Sequence, residues 1–75
     1  MLKGTRPAII KRIQPVSIHG QVSLEIAWAD PEAPEDVHHS RVGPEVVPRR
    51  MDVGDRVTLH FVMGMVTEIT KEPPI

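Results

Sequence analysis

Four histidines, His19, His38, His39 and His60, are the side chains in this sequence best suited to metal chemistry. Imidazole is a good ligand for zinc, nickel or copper, and the His38-His39 pair follows a run of acids. Neighbouring side chains on an extended chain point to opposite sides, however, so this pair is poorly placed to share one ion. No HxH or HxxxH spacing supplies a companion. His38, His39 and His60 are therefore weak metal candidates, and no metal or other cofactor is expected. Ser17, Ser23 and Ser40 lie in no GxSxG elbow, which is the strained turn that exposes a catalytic serine. The carboxylates from Asp30 to Asp36 form no recognisable acid and base pair. With no cysteine in the chain, thiol nucleophiles, redox pairs and thiolate metal sites are excluded. A substrate cleft of several hundred Å³ is hard to build in so short a chain. The expectation is a protein that is not an enzyme.

The cations suggest a second chemistry. Small barrels grip single-stranded nucleic acid by stacking bases on aromatics within a cationic groove. Arg6, Lys11, Arg12, Arg49, Arg50 and Arg56 could supply such a groove. Trp28 and Phe61 could stack, but both fall on faces that alternation assigns to the core. The net charge of −1 also lacks the cationic surplus that general nucleic-acid binding requires.

The elements that must position these residues read as strands. Pro7 and Pro15 bracket AIIKRIQ, residues 8–14, a β-branched run whose ends the prolines are expected to set. His19-Gly20 predicts a hairpin turn. Beyond it, Val22, Leu24, Ile26 and Trp28 alternate with Gln21, Ser23, Glu25 and Ala27, the period of a half-buried strand. Residues 30–44, with three prolines and four acids between Asp30 and Asp36, predict a long exposed loop. EVVP, residues 45–48, predicts a short strand, with turns at Arg49–Asp52 and Gly54-Asp55. Val57, Leu59, Phe61, Met63 and Met65 then alternate against Arg56, Thr58, His60, Val62 and Gly64. Gly64 predicts a bulge or corner within that strand, Val66 to Thr70 a last strand, and KEPPI, residues 71–75, a frayed tail.

No segment sustains a helical period. Short strands between Gly and Pro turns predict an all-β fold, a single small five-stranded barrel of OB-like or SH3-like kind. A domain this small buries only about 60% of its unfolded surface. With one Trp, one Phe and no Tyr, its core must be aliphatic, which favours self-association and leaves a homodimer open. No apolar run approaches the roughly 20 residues that span a bilayer, and the opening MLKGTRPAII lacks a signal-peptide core. A cytoplasmic protein with no membrane partner is expected.

The stretch VGDRVTLHFVMGMVTEIT, residues 53–70, carries a Val-Gly-Asp-x-Val turn followed by a strand that reaches a histidine. It resembles the closing half of the small hydrogenase-assembly chaperones, the HypC/HupF family. Val53, Gly54, Asp55, Val57 and His60 match that pattern, and Met65 and Ile69 fit with one residue of slack. Met1 and Gly4 match the family's Met-Cys-Leu-Gly-Ile-Pro opening, with Pro7 one place late. Two departures matter. Leu2 stands where the family has its functional cysteine, and the chain stops at KEPPI where the family continues into a helix. The resemblance thus implies a barrel that docks on another protein, without the family's iron-ligand transfer chemistry.

The reading favoured is a non-catalytic binding module, an accessory of assembly-chaperone type that docks on a larger protein partner. Short barrels leave an edge or apolar rim where an extended peptide can add. Lys3, Gly4, Thr5, Arg6 and Pro7, with Met63, Gly64 and Met65, are expected to lie near one rim and to form the contact. A single-stranded nucleic-acid binder is the alternative, and a histidine-based metal binder a further one.

Overall fold

The computed structural model describes residues 3–72. They form one antiparallel sheet of five strands: β1 (Lys3–Ile18), β2 (Gln21–Asp30), β3 (Ala33–Val42), β4 (Arg56–Val62) and β5 (Met65–Lys71). The strand order is β3-β2-β1-β4-β5. The sheet curls until its two edge strands, β3 and β5, approach each other without forming a ladder. The all-β expectation holds, and the five strands make a barrel only loosely, since the seam between β3 and β5 carries no ladder.

β1 is the spine of the sheet, and it changes partner along its length. Lys3 to Ile9 pair with β4, and Ile9 to Ile18 pair with β2. Each proline falls in a half where β1 has one partner only. Pro7 lies opposite Thr58 of β4, and Pro15 opposite Leu24 of β2. A missing N–H is tolerated where the strand has a free side. The prolines therefore sit inside a 16-residue strand rather than ending a shorter one, correcting the bounds read at 8–14.

Two bulges keep the apolar residues on one face. Lys11 has no partner on β2, so Ile10 pairs with Trp28 and Ile13 with Ile26. A bulge inserts one residue and shifts the alternation by one, which puts both isoleucines inside. A second bulge, where Thr67 drops out of the ladder, sets Val66 against Phe61 and Ile69 against Leu59. The core of Ala8, Ile10, Ile26, Trp28, Val42, Val57, Leu59 and Ile69 lies inside the curl. Ile10, Ile26, Val57 and Leu59 are fully buried, each contributing about 1.5–3 kcal/mol.

The region read as a loop at residues 30–44 is mostly strand β3. Its turn is set by Asp30, whose Oδ1 accepts the backbone N–H of Glu32 at 2.9 Å, a side chain standing in for backbone as in an Asx turn. β3 is an edge strand with Pro34, Glu35 and Asp36 exposed. Charge and proline there blunt an open edge against unwanted pairing, so a composition that suggests loop instead marks a guarded edge. The predicted EVVP strand is also replaced. Pro44–Val46 form a 3-10 turn, and Val46, Val47 and Met51 pack over the core from the end opposite Lys3.

The last turn differs as well. Val62 pairs with Met65, and Met63 (φ 54°) and Gly64 (φ 80°) form a two-residue hairpin turn between β4 and β5. Positive φ at both central positions is the pattern of the tight I′ hairpin. Gly64 thus ends a strand rather than bending one. The ladder runs on to Lys71, and the N–H of Glu72 donates to the carbonyl of Arg56 at 3.1 Å, so the frayed tail does not begin at 71. Residues 73–75 of that expected tail lie outside the described residues, as do Met1 and Leu2. Among the described residues no helix is long and apolar enough to cross a membrane.

Candidate functional site

One end of the curled sheet is open. Lys3 pairs with Val62, Gly4 with Phe61 and Thr5 with His60, and the β4–β5 turn projects directly beyond them. Lys3, Gly4 and Thr5 therefore share one end of the molecule with Met63–Met65, while Arg6 and Pro7 lie further in, opposite Leu59 and Thr58. A shallow hollow of about 370 Å³ is lined by Lys3, Gly4, Thr5, His60, Phe61 and Val62. Met63 and Met65 stand beside it, each 70% exposed. Their alternation with Val57 and Leu59 predicts a core face. The turn at 63–64 carries both methionines past the end of the interior instead.

Behind this rim the interior is closed by a cluster that no local pattern announces. The guanidinium carbon of Arg6 lies 5.1 Å from the centroid of the Trp28 ring, within cation–π range. His38 stacks on Trp28 at 4.7 Å between centroids, and Phe61 tilts against it at 6.1 Å. The indole N–H of Trp28 donates to Ser40 Oγ at 3.1 Å, satisfying the one polar atom of the ring. Arg6 also reaches Asp30 of the β2–β3 turn at 3.9 Å. Register explains the meeting. Leu59 lies opposite Arg6 and His38 opposite Trp28, so the buried Leu59 and Trp28 share their faces with the exposed Arg6 and His38. Arg6 and Trp28 are far apart in sequence and on strands that are not paired at that level. No spacing rule could have joined them.

The metal candidates do not converge. His38 stacks on Trp28 but stays exposed, and its neighbour His39 takes the other face opposite Ala27. His60 is also on the outer face, 3.2 Å from Thr70 Oγ1. Among the described residues no group of three or more His, Asp or Glu could hold an ion.

The cations are equally dispersed. Arg6 is spent on Trp28 and Asp30, and Arg56 pairs with Glu72 at 3.3 Å. Lys11 and Arg12 sit at the bulge. Arg49 and Arg50 occupy a turn at the end opposite the rim, where Lys71 Nζ donates to the Arg50 carbonyl at 3.2 Å. Trp28 is only 3% exposed, so no base can stack on it without unpacking the core. Basic residues interspersed with acids, and a covered aromatic, weigh against the nucleic-acid alternative.

Compared with known proteins, the chain matches no family model, no curated protein and no solved structure.

Proposed function

We propose that this chain is a non-catalytic docking module that works in the cytosol and binds a larger protein through the rim formed by Lys3–Pro7 and Met63–Met65. The observation that carries the reading is Met63. An Asn at this position would suit a turn with positive φ far better than Met, and an unbranched apolar side chain gains nothing by standing 70% exposed. A residue held in a disfavoured conformation, at a cost of about 1–3 kcal/mol, points to a role outside folding. Thioethers are polarisable and adaptable, a property that suits a contact surface. Met63 and Met65 flank the hollow beside Phe61 and Lys3, so a partner segment with one apolar anchor and a nearby carboxylate or carbonyl fits the rim.

The test is photo-crosslinking from position 65 in cells. One discrete partner band is expected, and it should be lost when Met63→Ser is combined with Lys3→Ala in a chain whose melting curve is preserved. A band that survives those changes, or a smear without a discrete product, sinks the proposal.

A further inference from the structure

The first half of β1 has one side that the fold leaves unpaired. β2 meets β1 only from Ile9 onward, so among the described residues no strand pairs with Lys3 to Pro7 on the side away from β4. All five of these residues are exposed. Two hydrogen bonds show which backbone groups face the open side. The N–H of Ile10 donates to the Asp55 carbonyl at 3.0 Å, and the Ile10 carbonyl accepts the N–H of Gly54 at 2.8 Å. Backbone groups alternate sides along a strand, and the ladder from Lys3 to Ile9 runs without a bulge. Gly4, Arg6 and Ala8 therefore bond to β4. The N–H and C=O groups of Lys3 and Thr5, with the C=O of Pro7, point the other way, and the N–H that Pro7 lacks would lie on that same side.

Gly4 has no cause within the fold. Its φ is not positive, no bulge interrupts the ladder there, and a Cβ would meet nothing within 4 Å. Glycine weakens a strand, and where no bend needs it the usual reason is the close approach of a ligand or another backbone. Gly4 stands opposite Phe61, which is only half-buried, so on that row β1 lays no side chain against the ring. Both residues line the hollow together with Lys3 and Thr5. Among the described residues Lys3 forms no ion pair. The free edges of β3 and β5 differ, because they approach each other across the seam and β3 is guarded by Pro34, Glu35 and Asp36.

We infer that an extended segment of the partner adds to β1 as a strand along Lys3–Pro7, with an acidic side chain beside Lys3 and a large apolar one lying over Gly4 against Phe61. The inference rests on the docking reading and names the contact through which it works. The added strand takes up the line that β2 leaves at its turn into β3. Main-chain bonds to Lys3 and Thr5 hold it, and its alternating side chains select it. The two specified residues are neighbours in the partner, because Lys3 and Gly4 belong to opposite faces of the sheet. Opposite charges on adjacent strands attract, and a large side chain laid across a glycine restores the packing that the glycine gives up. Pro7 closes the ladder at its inner end, so the added segment spans about 13 Å at the usual strand rise.

Random short peptides displayed on phage and selected on the whole chain are the probe. The selected peptides are expected to carry an acid next to a large apolar residue. By NMR, the Lys3 and Thr5 amides should exchange freely without peptide and at least about tenfold more slowly with it, while Gly4 and Arg6 stay protected in both states. Thr5→Pro removes an N–H that the fold does not use. Its melting curve should match wild type while peptide affinity falls at least about tenfold. Gly4→Val has room for its side chain, so it should keep the sheet and weaken binding by filling the place of the apolar residue. The inference is overturned if no peptide is selected, if the selected peptides leave the Lys3 and Thr5 amides unprotected, or if they bind Thr5→Pro as they bind wild type. A crosslink from position 65 in cells that persists beside any of those results leaves docking standing through another contact. Its absence, beside peptides that pair with Lys3 and Thr5, removes the cellular partner and keeps the edge as a strand-binding site.

Discussion

Arg6 lies over the face of Trp28, with 5.1 Å between its guanidinium carbon and the ring centroid, and covers the sole tryptophan of the chain at the open end of the sheet. The cation shields the ring where no strand crosses, while His38 stacks on the same ring from β3.

Removing that cover has a readable consequence. Arg6→Ala is expected to lower stability by about 0.5–2 kcal/mol, the range of a cation–π contact together with the lost packing of its stem. Because Trp28 is then opened to water, its emission should shift to the red before any global unfolding. Arg6→Lys should recover part of the stability, since the charge remains but the planar stacking is lost. A denaturant series read by fluorescence and by circular dichroism measures both effects. Identical curves for Arg6→Ala and wild type would show that the contact carries no weight.

A second expectation concerns pH. The Asp55 carboxyl is held below its ordinary value of 3.8, chiefly because its Oδ2 accepts the backbone N–H of Asp52 at 2.8 Å. Partial desolvation opposes this, and Lys71, 3.3 Å away, adds to the lowering. A carboxyl whose pKa is lower in the folded state stabilises the fold when ionised. That stabilisation is fully present above the unfolded pKa and is lost as pH falls through the folded one. Asp55→Asn should therefore be less stable than wild type near neutrality, and the gap should narrow below about pH 4. Melting temperatures across that range decide it. A gap that stays constant with pH would remove the ionised carboxylate as its cause.

The β4–β5 turn separates folding from docking. Met63→Asn should stabilise the chain by about 0.5–1 kcal/mol, since Asn-Gly suits a turn with two positive φ values. The same change should weaken capture of the partner at the rim. Gly64→Ala places a Cβ at φ 80°, where strain costs about 1–2 kcal/mol. Thermal melts run beside the crosslinking assay distinguish the two. If Met63→Asn stabilised the chain and left capture untouched, Met63 would have no part in docking.

Much of the interior is legible in the residues themselves. The alternation from Val22 to Trp28 locates β2 and correctly places Ile26 and Trp28 inside. Val22 stays exposed because it lies beyond Leu24, where β2 no longer has β3 beside it. Val57 and Leu59 are likewise found by period two. What local reading could not supply was long-range pairing. Pro7 and Pro15 look like strand ends until it is known that β1 has a free side at each. The acids and prolines of residues 30–36 look like a loop until β3 is seen to be an edge. Met63-Gly64 hides a tight turn because its first residue is not the Asn or Asp such turns prefer. The fold sets Lys3–Thr5 beside the turn that carries Met63 and Met65, whereas the Arg6–Trp28 contact joins β1 and β2 where β1 has already changed partner.

The divided pairing of β1 also sets an order of events during synthesis. Its second half meets β2 across a two-residue turn, a closure completed in about 1–10 μs. Its first half must wait for β4, so Lys3 finds Val62 only after the residues between them have emerged. At about 5–20 residues per second, translation leaves those early residues without their partner for several seconds. The first half of β1 is thus made well before the strand that secures it, and in that interval the unfinished sheet is most exposed to wrong partners.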